Sequence, residues 1–111
     1  MPHLTFEHDE RDDRSRSYSA GAGGGLRTER MEVTRLAFAK DTGAQVHTHP
    51  EEQVMYVLSG RLRVACGDET YDVGPGEATF NPADLPHGVT AVEDTVCLSI
   101  KDLVAAGRPH E

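Results

Sequence analysis

The sequence predicts an all-β fold, and three observations carry that prediction. Short segments rich in branched, aliphatic and hydroxyl side chains recur at about 31–39, 44–49, 53–58, 61–66, 69–73, 77–80 and 95–101. Turn-forming residues punctuate them at Asp41-Thr42-Gly43, Ser59-Gly60, Gly67-Asp68 and Gly74-Pro75-Gly76. Helical periodicity is missing, apart from a brief stretch at Asp102 to Ala106. Strands this short, at this spacing, build a sandwich or a barrel.

Taken in order, the chain starts with a polar segment. Residues 7–30 are dense in charge, Ser and Gly and include Gly23-Gly24-Gly25, so they bury little. The expectation is a flexible N-terminal arm over 1–30, a barrel over 31–104 and a C-terminal tail over 105–111. A chain of 111 residues suits one domain with a modest core, and neither a repeat nor a second domain is visible.

The 44–49 segment carries His47-Thr48-His49. Histidines at i and i+2 of an extended segment face the same side, where both can reach one ion. A solvated pair on an edge strand is the plain alternative, and two histidines alone do not decide. The next segment, Val54-Met55-Tyr56-Val57-Leu58, is apolar on both faces, unlike a half-exposed antiparallel strand. Gln53, Met55 and Val57 share the parity expected to face inward, leaving Val54, Tyr56 and Leu58 outside and in need of a cover. The arm, a second sheet or another subunit would serve. A homodimer is the preferred reading, with intramolecular packing close behind.

After the turn at Gly60, Arg63 alternates with Leu62 and Val64, so one of these two faces must line the interior. An inward Arg63 would clamp a substrate carboxylate with its two-pronged guanidinium, whereas an outward one is a solvated surface residue. Tyr56 is a second candidate acid, although its parity points it away from Gln53. Phe80 and Asn81 are placed at a cavity rim, and Lys101 or Asp102 within reach of the open end. His3, His8 and His110 fall in the terminal segments and read as exposed.

Two stretches carry a family resemblance. GAQVHTHPEEQVMYVLSG (residues 43–60) and GPGEATFNPADLPH (residues 74–87) resemble the two halves of the cupin signature, over roughly residues 31–100. Three features agree: His-x-His, the interval from Gln53 to Gly60, and Pro82 five residues before His87. The resemblance, to single-domain members of the RmlC-like cupin superfamily, implies a jelly-roll-like double-stranded β-helix with one metal in the barrel. It maps His47, His49 and His87 onto the three cupin histidines. The fourth ligand is normally Glu, and here the spacing places Gln53 at that position. Glu52 is the rival, but strand parity and the interval to Gly60 favour Gln53, while Glu51 falls in the connecting loop.

A Gln in this place is shared with small cupins acting on unsaturated uronates and with polyketide-cyclase cupins, which this run resembles. The uronate group continues into an Asp-Val-Phe segment followed by Pro-Pro-Arg. Here the aligned positions read Ser99-Ile100-Lys101-Asp102-Leu103-Val104-Ala105, and Arg108 is a displaced candidate only. Three imidazoles and an amide are all neutral, so a divalent ion keeps its full charge and acts as a stronger Lewis acid. Zinc, iron, manganese and nickel all accept such a set.

Composition narrows the partners. A net charge of −8 argues against nucleic acid and anionic membrane, and no apolar run is long enough to span a bilayer. The opening MPHLTFEHDERDD lacks a secretion-signal pattern, and two cysteines, Cys66 and Cys97, are too few for a disulfide scaffold. A cytoplasmic protein with buried thiols and a small-molecule ligand is expected. Two function classes remain. One is a metal-dependent isomerase, cyclase or lyase (a dioxygenase if the ion is iron) acting on a carbonyl, enol or carboxylate. The other is a non-catalytic ligand-binding or sensory module.

Overall fold

A computed structural model describes residues 21 and 23–103. The expected C-terminal tail and most of the expected arm, with His3, His8, Arg108 and His110, lie outside the described residues. Nine strands form in chain order: β1 Gly25–Arg27, β2 Met31–Phe38, β3 Gly43–His47, β4 Gln53–Ser59, β5 Leu62–Cys66, β6 Glu69–Val73, β7 Ala78–Asn81, β8 His87–Ala91 and β9 Thr95–Asp102. They make a jelly-roll sandwich of two antiparallel sheets, ordered β1-β2-β9-β4-β7 and β3-β8-β5-β6. No helix occurs among the described residues. Asp102 completes β9 opposite Met31, and residues 104–106 of the stretch with brief helical periodicity lie outside the described residues.

Two strands differ from the sequence reading. β1 falls inside the segment expected to be the arm, and its three residues pair with Glu32, Val33 and Thr34 of β2. The glycine run permits this close approach. A Cβ on Gly23 would stand 1.8 Å from the Arg35 carbonyl oxygen, and the Arg35 amide donates to the Gly24 carbonyl at 2.8 Å. Polarity of composition is therefore a poor guide to residues 25–30, where bare backbone, not side-chain burial, makes the contact. β8 is also missing from the sequence expectation, because Gly88 interrupts an otherwise β-prone run.

The alternation of each strand sorts side chains between core and solvent. β4 buries Gln53, Met55 and Val57 and exposes Val54, Tyr56 and Leu58, as its parity predicts. Phe38, Leu62, Val64, Val73, Val89, Ala91 and Cys97 join Met55 and Val57 between the sheets. Cys66 and Cys97 are free, buried thiols, and burial pushes Cys97 up to about 12.

Strand register aligns these inward side chains in rows. In the five-stranded sheet the lowest row reads Glu32, Lys101, Gln53, Asn81. The next reads Thr34, Ser99, Met55, Thr79, and the third Leu36, Cys97, Val57. In the opposing sheet the row at one end reads His47, His87, Cys66, Glu69. Polar rows therefore gather at one end of the sandwich and apolar rows fill the rest.

Candidate metal centre

A bulge makes the histidine row. Ala44 pairs with Val89 and His47 with His87, so β3 spends three steps where β8 spends two. The extra residue lets Ala44 and His47 face inward although they differ by an odd number, while Gln45 and Val46 turn out to solvent. Gly88 accommodates the bulging backbone: a Cβ there would lie 2.9 Å from the Ala44 carbonyl oxygen and 3.0 Å from the Val46 amide. His49 follows just beyond the end of β3, in the loop leading to β4.

The three rings converge. Their centroids are 4.5 Å (His47–His87), 4.6 Å (His49–His87) and 5.4 Å (His47–His49) apart. One potential ligand nitrogen from each falls within 4.8 Å of the others. Every Nδ1 is tied to a backbone carbonyl: His47 to Gln45 at 2.6 Å, His49 to Glu51 at 2.9 Å and His87 to Leu85 at 2.9 Å. A carbonyl only accepts, so each Nδ1 carries the proton and each Nε2 keeps its lone pair. The Nε2 atoms of His49 and His87 are buried without any hydrogen-bond partner. Buried polar atoms are rarely left so, and a shared ion is the standard way to satisfy converging imidazole lone pairs.

Burial favours the neutral form of His49 and His87. Burial lowers His87 to about 4, and the neighbouring His47, His49 and Lys101 act in the same direction. His49 is lowered too, first by burial and next by the Lys101 charge. A neutral imidazole is the form that ligates.

Gln53 stands on the facing sheet. Its Nε2 donates to Ser99 Oγ at 2.7 Å, and its Oε1 accepts from Asn81 Nδ2 at 2.9 Å. In this arrangement the Gln53 carbonyl oxygen has a second lone pair to offer. Gln53 and two of the histidines, His47 and His87, line the same cavity of about 70 Å³. Thr34, Ser99 and Lys101 supply its polar wall, and Leu36, Phe38 and Met55 part of its apolar wall.

Arg63 and Tyr56 are elsewhere. Arg63 sits in an outer row with Thr90 and Asp72. It grips Asp72 through Nε at 3.0 Å and Nη2 at 3.3 Å, with its side chain 58% exposed. The core claims Leu62 and Val64 of that strand, which forces Arg63 outward. Tyr56 likewise lies on the outer face of β4. Neither lines the cavity, and the roles assigned to them from sequence do not fit this placement. Phe80 is half exposed on β7, while Asn81 is fully buried behind Gln53.

Sequence reading overlooked Ser99, Thr34 and Glu32, and named Lys101 without placing it. A signal existed: Thr95, Cys97, Ser99 and Lys101 share one parity, and a strand that buries Cys97 must turn Ser99 and Lys101 inward as well.

Residues 34–101 match the model of the cupin domain. The chain is a cupin. It is 32% identical over 62 residues to an uncharacterized protein of Streptomyces coelicolor, a match covering 56% of this chain and 59% of that relative. The cupin thus spans less than two thirds of the curated relative it matches. Among solved structures it is similar to TT1209 from Thermus thermophilus, with 28% identity, a TM-score of 0.68 and coverage of 88% and 97%. An RmlC-like cupin from Shewanella frigidimarina shares 19% identity at a TM-score of 0.74, covering 90% and 91%, a likeness of fold alone.

Proposed function

We propose that this cupin holds one divalent transition-metal ion through Nε2 of His47, His49 and His87 and Oε1 of Gln53, and uses it on a small oxygen-rich substrate. The observation that carries this reading is the pair of buried, partnerless Nε2 atoms within a converging histidine trio. Bound there, zinc, iron, manganese or nickel would polarise a carbonyl, enol or carboxylate oxygen of the substrate.

The chain's own residues supply the setting. The Gln45, Glu51 and Leu85 carbonyls hold the ring tautomers, and Ser99 with Asn81 orients the Gln53 amide. Leu36, Phe38, Met55 and Val89 exclude bulk water from one side of the cavity. Lys101 supplies a cation at the opposite side, where negative charge develops when a carbonyl is enolised or attacked.

A second copy of the chain belongs to the same reading. Val54, Tyr56, Leu58 and Phe80 leave apolar area exposed on the outer face of β4 and β7, and a homodimer would cover it. Two buried free thiols suit a reducing, cytoplasmic compartment.

The deciding experiment is elemental analysis of untagged protein beside a His47→Ala/His49→Ala double variant. One equivalent of a single transition metal, absent from the variant, is the expected result. Wild-type protein that takes up no metal on reconstitution overturns the reading and leaves a ligand-binding barrel.

A further inference from the structure

We infer that the end of the cavity away from the histidines is a subsite for a hydrocarbon group. The ligand then carries its oxygens at the metal end only, with an alkyl or aryl body beyond them. The inference rests on the reading above for the oxygen-binding end and deepens it by naming the other half of the ligand.

Both sheets grade from polar to apolar. On the inner face of β2, Thr34 is followed by Leu36 and Phe38, and all three line the cavity. On the opposing sheet the inward row of His47 and His87 is followed by the row of Ala44 and Val89, and these four line it too. Met55, two residues beyond Gln53 on β4, joins them. A bond between the sheets shows that the two gradients run the same way. Tyr71 belongs to the Ala44–Val89 row through Val64, and its hydroxyl meets that of Thr79, in the Met55 row. Leu36, Phe38, Ala44, Met55 and Val89 thus form one apolar end, continuous with the core.

This end has little to offer a hydroxyl group. None of its five side chains carries an O–H or N–H donor. The backbone is engaged as well: β2 lies between β1 and β9, β4 between β9 and β7, and β8 between β3 and β5. Gly21 backs the wall from the side. A Cβ there would stand 3.1 Å from Phe38 Cε1 and 3.2 Å from Leu36 Cδ2, so bare backbone packs directly against both side chains. A ligand hydroxylated along its whole length would give up water hydrogen bonds here without replacement. A hydrocarbon body gains by the same burial.

The test is NMR titration of zinc-loaded and metal-free protein with three neutral amides. Hexanamide carries an alkyl body, erythronamide a hydroxylated body of nearly equal size, and acetamide almost none. Hexanamide should bind at least about tenfold more tightly than either of the others. Val89→Thr exchanges a methyl for a hydroxyl at similar volume and should lower the hexanamide-to-erythronamide ratio severalfold. Should that variant fail to fold, Ala44→Leu decides: filling the apolar end should weaken hexanamide at least about tenfold and leave acetamide unchanged. The inference is overturned if wild type binds no hexanamide or binds erythronamide as tightly. It is overturned equally if folded Val89→Thr keeps the wild-type ratio, or if Ala44→Leu keeps the hexanamide affinity. Failure to take up zinc sinks the metal reading alone, because the amide ratio on metal-free protein still decides this one.

Discussion

Gln53 donates its amide hydrogen to Ser99 Oγ, 2.7 Å away on the neighbouring strand, and that one bond turns its oxygen towards the Asn81 donor. The arrangement would serve a carboxylate equally well. Ser99 can reverse its hydroxyl and donate, and Asn81 already donates. Gln53→Glu should therefore fold, and the added negative charge beside three imidazoles should tighten a divalent ion by about tenfold or more. Competition with a chromophoric chelator measures this. Unchanged affinity would remove Gln53 from the ligand set.

Gly88→Ala tests the bulge. Its Cβ would push on the backbone of Ala44 and Val46, neither of which is a flexible side-chain end. A loss of about 1–3 kcal/mol of stability is expected in urea denaturation, by the usual cost of overpacking. Metal affinity should fall with it, because the same bulge brings His47 into the row. A stable variant with intact affinity would show that His47 does not depend on the bulge.

Acidification should destabilise the metal-free protein in a defined window. His87 is held at about 4 in the fold, below its ordinary value of 6.5. Between these values the unfolded chain binds the proton and the folded one does not. Stability is thus full above about pH 6.5 and declines as pH falls towards 4. His49, lowered as well, adds in the same direction. Melting temperatures of wild type and His87→Gln across this range check the sign: the variant should show the shallower decline.

Arg63→Met should leave metal and hexanamide binding unchanged. Its guanidinium is solvent-exposed on the outer face and engaged with Asp72, an arrangement that contributes little to stability. A lost ligand affinity in this variant would mean that the outer face of β5 communicates with the cavity.

The all-β class, most strands and the inward parity of β4 were legible because period-two alternation and turn chemistry are local properties, whereas the histidine trio was legible through the resemblance to the cupin signature. Two strands escaped. β1 is made by backbone approach of a glycine run, and β8 contains a glycine whose purpose lies on another strand. Residue order alone specifies which side chains are available to one site: His47, His49, His87 and Gln53 at their spacings. Which way Arg63 and Lys101 point is settled by the packing of the two sheets. That choice depends on which of two alternating faces the core claims. In β5 the core takes Leu62 and Val64, whereas in β9 it takes Cys97 and with it the face of Ser99 and Lys101. Strand parity links residues within a strand, but the opposing sheet settles which parity is buried.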